Sequence, residues 1–366
     1  MRHIPALDGI RGIAIILVLL FHLHIPGLSL GWAGVPLFFV LSGFLITGIL
    51  IDAKKEKFSY YIKSFYIKRT LRIFPLFYLY LILNFLALVV TNRPVDGYAW
   101  YFSYLQNYHL GAEIYSQGYI PGIVAHTWSL AVEEQFYLLW PFVVFFLNRK
   151  QLAYLCIVLI VAAPVTRWII LQDSGNIYMA NVTLPGCLDM MAYGALLAIL
   201  RTSTIKIVSA LVFSLFSVGA LLMLYAIYTL GLDAFWNPEK WTAPAFYAYT
   251  ALAFIFGLPI WLVTKTPVSL LVCALTTRPL LYTGKISYGL YIWHYAVFLI
   301  MDKITLKLNI SNEYFIPQII SLIASYAIAA ASYYIFEVHF LRIKDRLYVK
   351  PESKIPPLSK EISTSH

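Results

Sequence analysis

Long apolar runs recur along the whole chain, and each is about as long as the ~20 residues that an α-helix needs to cross a bilayer. Hydrophobic residues make up 61% of the 366 residues and charged residues only 12%, whereas about a quarter of a water-soluble domain is charged. The sequence therefore predicts an all-α integral membrane protein with about ten transmembrane helices. The candidate spans are 9–25, 34–51, 74–91, 127–147, 151–171, 185–200, 206–230, 245–264, 284–301 and 317–338.

Basic residues are concentrated on one side of these spans. If the N-terminus is cytoplasmic, 22 of the 27 Lys and Arg residues face the cytoplasm, four fall in outer loops and Arg167 falls within a span. The positive-inside rule then predicts that both the N- and C-termini are cytoplasmic. The net charge of +10 does not indicate a nucleic-acid partner, because the basic residues spread along the membrane boundary and form no single binding face.

A single membrane domain accounts for most of the chain. We assign residues 1–345 to this domain and residues 346–366 to a polar cytoplasmic tail, which we expect to be disordered. The three cysteines, Cys156, Cys187 and Cys273, form no CxxC pair. We therefore predict no metal site.

The first predicted span contains ionisable residues, which are costly in a bilayer and therefore mark a buried pairing or a functional site. Asp8 stands where its side chain can cap the N-terminus of the helix. Arg11 and His22 are eleven residues apart, so they share one helical face and lie ~16 Å apart along the axis. We expect both side chains to point into the same interior.

Two arginines precede the third span on the predicted cytoplasmic side. Arg69 and Arg72 are three residues apart and therefore share a helical face. Two forked guanidinium groups suit bidentate binding of phosphates. The alternative is that they anchor the protein to anionic lipid.

The fourth span carries a polar stripe. His126, Ser129, Glu133 and Tyr137 follow one another at helical spacing, and Glu134 adds a second carboxyl group. Packing alone does not explain two adjacent carboxyl groups within a span. A buried carboxyl group or a histidine paired with it suits proton transfer, so we favour a functional interpretation.

The ninth and tenth spans add further polar groups. Ser287, Tyr291 and His294 share one face of the ninth span. Glu337 lies near the inner end of the tenth, where it can pair with the basic residues that follow it.

Together these motifs resemble the family-3 membrane acyltransferases, bacterial enzymes that O-acetylate polysaccharides, lipopolysaccharide, Nod factors and some macrolides. The similar segments occur in family order over the whole chain. They are Leu7–Gly12 with His22, Leu37–Thr47, Arg69 and Arg72 with Pro75, His126–Pro141, Asp189 with Gly194, Gly284–His294, and Tyr333–Glu337.

The resemblance implies an enzyme of the bacterial inner membrane that moves an acyl group, expected to be acetyl, from cytoplasmic acyl-CoA to a hydroxyl of a glycan or glycolipid. His22 would be the catalytic base. Arg69, Arg72 and Arg11 would bind the nucleotide end of acetyl-CoA, and Arg11 would also contribute to catalysis. Glu133 and Glu134 would shape the reaction centre. Substrate-binding or supporting roles would fall to Asp8, His126, Ser129, Tyr137, Ser287, Tyr291 and His294.

The sequence departs from the family pattern in two places. Cys187 stands where an arginine is expected two residues before Asp189, and Val338-His339 replaces the usual Arg-Pro after Glu337. The first departure leaves the role of Asp189 open, and the second leaves open where the last helix ends. Because residues 346–366 are too few for an SGNH-type hydrolase domain, we expect no second transferase domain after the membrane part.

The alternative function is a proton-coupled transporter or flippase of a glycan or lipid precursor. Histidine and glutamate residues within the membrane would then relay protons. Paired cytoplasmic arginines are of less use to such a protein. The sequence also has no internal repeat with broken helices in matching halves, which many transporters have.

Overall fold

The computed structural model describes residues 3–23, 25, 27–117, 123–231, 244–266, 268–308 and 316–347. Within these ranges the regular structure is helical and includes no strand, which confirms the predicted all-α class. Apart from residues 346 and 347, the predicted tail lies outside the described residues.

The α-helices of the described ranges follow in chain order. They are α1 (Pro5–His22), α2 (Gly34–Ala53), α3 (Phe58–Val90), α4 (Tyr98–Phe102), α5 (Gln106–Gln117), α6 (Trp128–Phe146), α7 (Arg149–Ser174), α8 (Ile177–Val182), α9 (Leu184–Leu200), α10 (Lys206–Leu230), α11 (Ala248–Lys265), α12 (Leu270–Leu275), α13 (Arg278–Lys285), α14 (Ser287–Lys307), α15 (Ile316–Ser332) and α16 (Val338–Leu347).

Nine helical segments of the described ranges are long and apolar enough to cross a membrane. They coincide with nine of the ten predicted spans, so the protein is a multi-pass integral membrane protein. The remaining predicted span, 284–301, corresponds to α14, a helix of 21 residues. This helix is less apolar than the others because it carries tyrosine, histidine and lysine side chains among its apolar ones.

The most buried segment is the one that contains α9. In its most apolar stretch 83% of the residues are buried, against 17% in α7 and in α10. The outward faces of α7, α10 and α15 expose large apolar side chains that suit contact with lipid. The membrane domain is therefore built around α9, with these three helices at its periphery.

Helices α2 and α9 pack backbone against backbone. A Cβ atom on Gly43 would lie 1.9 Å from the carbonyl oxygen of Met191, and one on Gly194 would lie 2.0 Å from that of Val40. Any larger residue would force the helices apart, and small residues at such crossings are typical of membrane helix packing. This contact explains two of the glycines in the segments that resemble the acyltransferase family.

Two expectations about helix starts are wrong. Helix α1 begins at Pro5 with Ile4 as its N-cap residue, so Asp8 lies in the first turn and does not cap the helix. Proline is favoured at a first helical position because its missing N–H needs no partner there. Helix α3 begins at Phe58, well before the predicted span at 74, and continues through Pro75 over 33 residues. The basic segment before the span is thus part of the same helix.

The last span continues as a helix through the sequence departure at Val338-His339. Helix α15 passes into a π-helical segment, Tyr333–Glu337, and then into α16 without a break. Val338 and His339 allow the chain to remain helical, whereas a proline would have disturbed the hydrogen-bonding ladder. Glu337 lies on the π-helical segment and has Ser332 Oγ 3.4 Å from its Oε1 atom.

A fully buried ion pair joins α7 to α9. Arg167 Nη2 donates to Asp189 Oδ2 at 2.8 Å, and both side chains are completely buried. The guanidinium also donates to the carbonyl oxygens of Gly186 and Phe246, and Thr250 Oγ1 donates to Asp189 at 2.5 Å. Arg167 on α7 thus supplies Asp189 with a guanidinium partner, although residue 187 is a cysteine in this chain.

Replacing Arg167 with methionine would leave Asp189 as an unpaired buried charge. Removing one partner of such a pair costs about 3–5 kcal/mol. We expect Arg167→Met to lower markedly the midpoint of thermal unfolding of the protein in detergent. Arg201→Met is the matched control, because Arg201 pairs with Asp52 at 2.8 Å in a partly exposed position, where a pair contributes only ~0–1 kcal/mol. Equal small shifts for the two variants would contradict this account.

Candidate functional site

One polar cavity is lined by three arginines from two helices, and we call it the arginine cavity. Arg11 comes from α1, and Arg69 and Arg72 come from α3. Serine, glutamate and tyrosine side chains of α2, α6 and α14 complete its polar lining. They are Ser42, Ser129, Glu133, Tyr137, Ser287, Tyr288 and Tyr291.

A chain of hydroxyl groups leads to Glu133 in this cavity. Tyr137 donates its hydroxyl hydrogen to Ser42 Oγ at 2.8 Å, and Ser42 donates to Glu133 Oε1. The guanidinium carbon of Arg69 lies 3.9 Å from the centre of the Tyr137 ring, which is a cation–π contact. The carboxyl group of Glu133 is therefore held in place by α2, while Arg69 is held by the ring of Tyr137.

The three guanidinium groups differ in their partners. Arg11 donates to Asp8 at 2.9 Å. Among the described residues Arg69 and Arg72 take part in no ion pair, and the buried Nε atom of Arg69 has no hydrogen-bond partner. Glu337 of the π-helical segment is an electrostatic neighbour of Arg72. Two guanidinium groups in this cavity thus remain available for an anionic ligand.

A second cavity is rich in aromatic side chains and histidine, and we call it the histidine cavity. Its lining includes His22 from the end of α1 and His126 from the 3₁₀ turn that precedes α6. The aromatic side chains around them are Phe21, Trp32, Trp128, Tyr249 and Tyr291.

Val35 and Tyr291 line both cavities, so these two residues separate them. Tyr291 is held by its hydroxyl group, which donates to the carbonyl oxygen of His126 at 2.5 Å. Ser129 Oγ lies 2.5 Å from the same hydroxyl oxygen and donates to it. The two cavities therefore adjoin at Tyr291, whose hydroxyl group is held by hydrogen bonds to α6 and to the turn before α6.

Three histidines from different parts of the sequence lie together, and two of them, His22 and His126, line the histidine cavity. The ring of His294 lies 5.0 Å from that of His22 and 5.1 Å from that of His126, between ring centres. His294 Nε2 is 3.3 Å from His22 Nδ1. The sequence marked each of them as a candidate, and the structure brings them into one cluster.

Most of the other predicted residues lie at one of the two cavities, but Asp8 and Glu134 line neither. Asp8 pairs with Arg11 and also lies 2.6 Å from His3. Glu134 is half-buried, with Arg69 and Glu133 as its charged neighbours. Its Oε1 atom has no hydrogen-bond partner among the described residues. Glu133 thus lines the arginine cavity, whereas Glu134 does not.

Several residues that line the cavities were not predicted from the sequence. Ser42 had a signal, since it is a hydroxyl residue in an apolar span and lies within the Leu37–Thr47 segment. Trp128 lies within the His126–Pro141 segment, whereas Trp32 and Tyr249 had no signal, because aromatic residues make up 17% of the chain and mark no single site.

The fold and the paired cavities define a multi-pass membrane protein with a polar site, in which three arginines line one cavity and two histidines line the other. Comparison with known proteins identifies the family. The acyltransferase domain family matches residues 4–334, so the chain belongs to the acyltransferase-3 family, as its motifs predict.

Several curated relatives are O-acetyltransferases. The chain is 28% identical to the putative peptidoglycan O-acetyltransferase YrhL of Bacillus subtilis, over 92% of this chain and 54% of that protein. It is 27% identical to the O-acetyltransferase OatA of Staphylococcus aureus, over 87% of this chain and 54% of that protein. It is 28% identical to the peptidoglycan O-acetyltransferase OatA of Listeria monocytogenes, over 99% of this chain and 61% of that protein.

The chain thus spans between 54% and 61% of the length of these three relatives. No solved structure was found to match it.

Proposed function

We propose that this protein transfers an acetyl group from cytoplasmic acetyl-CoA to a hydroxyl group of a cell-wall glycan at the bacterial plasma membrane. The observation that carries the proposal is the pairing of the two cavities, one with guanidinium groups for an anionic donor and one with imidazole groups for a hydroxyl acceptor. The family supports acyl transfer, and the names of the relatives support acetyl as the acyl group and peptidoglycan as the acceptor.

Arg69 and Arg72 are the proposed binding groups for the phosphates of acetyl-CoA. Their guanidinium groups have no carboxylate partner among the described residues, so binding an anion would break no existing ion pair. Arginine binds phosphate through two parallel hydrogen bonds, which fixes the ligand in orientation as well as in place. The ring of Tyr137 under Arg69 would hold the Arg69 guanidinium group in an orientation that can bind the ligand.

From the arginine cavity the pantetheine arm would pass Tyr291 and Val35 towards the histidine cavity. Arg11 and His22 lie on the same helix, ~16 Å apart along its axis, so the donor has to extend along α1 to bring its thioester to the imidazole. The fixed hydroxyl group of Tyr291 lies between the two cavities. It is the group past which the acyl end would move.

His22 is the proposed general base. It would take the proton from the acceptor hydroxyl while the oxygen attacks the carbonyl carbon of the thioester. The carbon–sulfur bond then breaks, an ester forms, and the thiolate of CoA takes the proton back from the imidazolium. A positioned general base contributes typically ~10²–10⁴-fold to the rate.

The aromatic side chains of the histidine cavity suit a sugar acceptor. Trp32, Trp128 and Tyr249 give it flat apolar walls beside the imidazole groups. Ligand sites of this kind are mainly aromatic and apolar, with a few polar groups that fix orientation. We therefore propose that a glycan ring packs against these walls and presents one hydroxyl group to His22.

Replacing His22 with alanine should abolish most of the activity and leave the protein folded. With radiolabelled acetyl-CoA and soluble peptidoglycan fragments as acceptor, we expect turnover per folded molecule to fall ~10²–10⁴-fold. Affinity for CoA, measured on the same sample, should be unchanged. His109→Ala is the control, because His109 lies on α5 beside Glu113, away from both cavities. Near-normal turnover in His22→Ala would remove His22 from the mechanism and make Glu133 and Glu134 the leading candidates.

Replacing Arg69 with lysine keeps the charge but removes the fork. Since a hydrogen bond to a charged group is worth ~1.5–3 kcal/mol, we expect the dissociation constant for CoA, measured by calorimetry in detergent, to rise at least ~10-fold. Lys55→Ala is the control, because Lys55 is an exposed basic residue on the same predicted side of the membrane. Equal small effects for the two variants would instead indicate that Arg69 anchors the protein to lipid.

A further inference from the structure

His294 is completely buried, and its hydrogen bonds define its tautomer. Its Nδ1 atom lies 3.0 Å from the carbonyl oxygen of Leu290 and 2.9 Å from that of Tyr291. Carbonyl oxygens only accept hydrogen bonds, so Nδ1 of His294 carries the hydrogen. In the neutral ring Nε2 then holds a lone pair and acts as an acceptor. The helix backbone of α14 thus sets the protonation pattern of this side chain.

That acceptor faces His22. His22 Nδ1 lies 3.3 Å from His294 Nε2 and 3.0 Å from the carbonyl oxygen of Val18, one turn earlier in α1. Both neighbours accept, so His22 Nδ1 has to donate, and its neutral ring carries the hydrogen there. The lone pair of His22 is therefore on Nε2. This is the nitrogen that can take a proton.

We propose that His294 is a positioning residue that acts through His22: it fixes the tautomer and ring orientation in which Nε2 of His22 is the base. The inference rests on the proposed acyl transfer. When Nε2 takes the proton of the acceptor hydroxyl, the new imidazolium keeps its Nδ1 hydrogen directed at His294 Nε2 and the Val18 carbonyl oxygen. His294 neither gains nor loses a proton, and Nε2 of His22 later returns its proton to the thiolate of CoA.

The neighbouring rings support this arrangement. Tyr295 packs edge-on against His22, with 5.1 Å between ring centres, and Phe298 packs against His294 at 5.6 Å. These contacts hold the imidazole planes in the orientation that the hydrogen bond needs. His126 approaches the cluster as well, but neither of its ring nitrogens has a hydrogen-bond partner among the described residues, whereas His294 Nε2 lies within reach of the Nδ1 hydrogen of His22. His294, and not His126, is therefore the residue that can direct the base.

The kinetic test compares two substitutions of His294 in the full chain, purified in detergent. His294→Phe keeps a ring but removes the acceptor nitrogen, so we expect kcat to fall ~10–10²-fold, the loss typical of a hydrogen bond to a charged group. The KM for acetyl-CoA should change less than about threefold, because the donor binds at the arginine cavity. His294→Gln places an amide oxygen near the position of Nε2 and should restore kcat to within about threefold of the wild-type value.

Ile300→Ala is the matched control, because Ile300 lies on the same helix as His294 and its side chain is exposed. It should leave kcat close to that of the wild type. A normal kcat in His294→Phe would overturn the inference. Equal losses in His294→Phe and His294→Gln would also overturn it, because they would indicate a need for the shape of the histidine and not for its acceptor.

A second measurement needs no activity. In protein labelled with ¹⁵N-histidine, the His22 signals, identified by their loss in His22→Ala, should be those of a neutral ring with its hydrogen on Nδ1. A ring with its hydrogen on Nε2 would overturn the inference. The proposed function fails separately, if His22→Ala transfers acetyl groups normally or the wild type transfers none while this tautomer is present.

Discussion

The interior of a bilayer contains no water that could hydrate a charged side chain, so an ionisable group deep within the spanning helices has to be enclosed by other helices. Among the described residues, two sets of charged groups differ in their pairing. Arg167 and Asp189 satisfy each other and neighbouring backbone groups completely, and they join α7 to α9. Arg69, Arg72 and Glu133 surround a cavity instead, and the two arginines have no carboxylate partner in the described ranges. The fully paired charges of Arg167 and Asp189 therefore have a structural role, whereas the arginines without carboxylate partners mark the candidate functional site.

Close helix packing places the polar groups of the site. Gly43 lets α2 approach the backbone of α9, and the adjacent Ser42 then reaches Glu133 on α6. Gly12 is in the same situation on α1, where a Cβ atom would lie 2.5 Å from a carbonyl oxygen of α13. Its neighbour Arg11 lines the arginine cavity. In both motifs a glycine stands next to a polar residue. The glycine allows two helices to pack closely, and the close packing brings the neighbouring polar side chain to the cavity.

The sequence predicted the helical class and the individual polar residues because both are local properties. Apolar runs show where spans lie, and a histidine within a span is conspicuous on its own. That His22, His126 and His294 form one cluster could not be predicted, since it depends on how α1 and α14 pack. The ion pair between Arg167 and Asp189 could not be predicted either, because the two residues lie on different helices and no regular sequence spacing relates them. Helix starts were misplaced where a proline or a basic segment, and not hydropathy, decides them.

The proposed function requires that the donor and the acceptor reach the reaction from opposite sides of the membrane, through two cavities that adjoin at Tyr291. It is tested most directly with the protein in vesicles of known orientation, where radiolabelled acetyl-CoA and peptidoglycan fragments are supplied on chosen sides. The account predicts labelled glycan only when acetyl-CoA is on the side of Lys55 and the glycan is on the opposite side. Transfer that requires both substrates on the same side would contradict it.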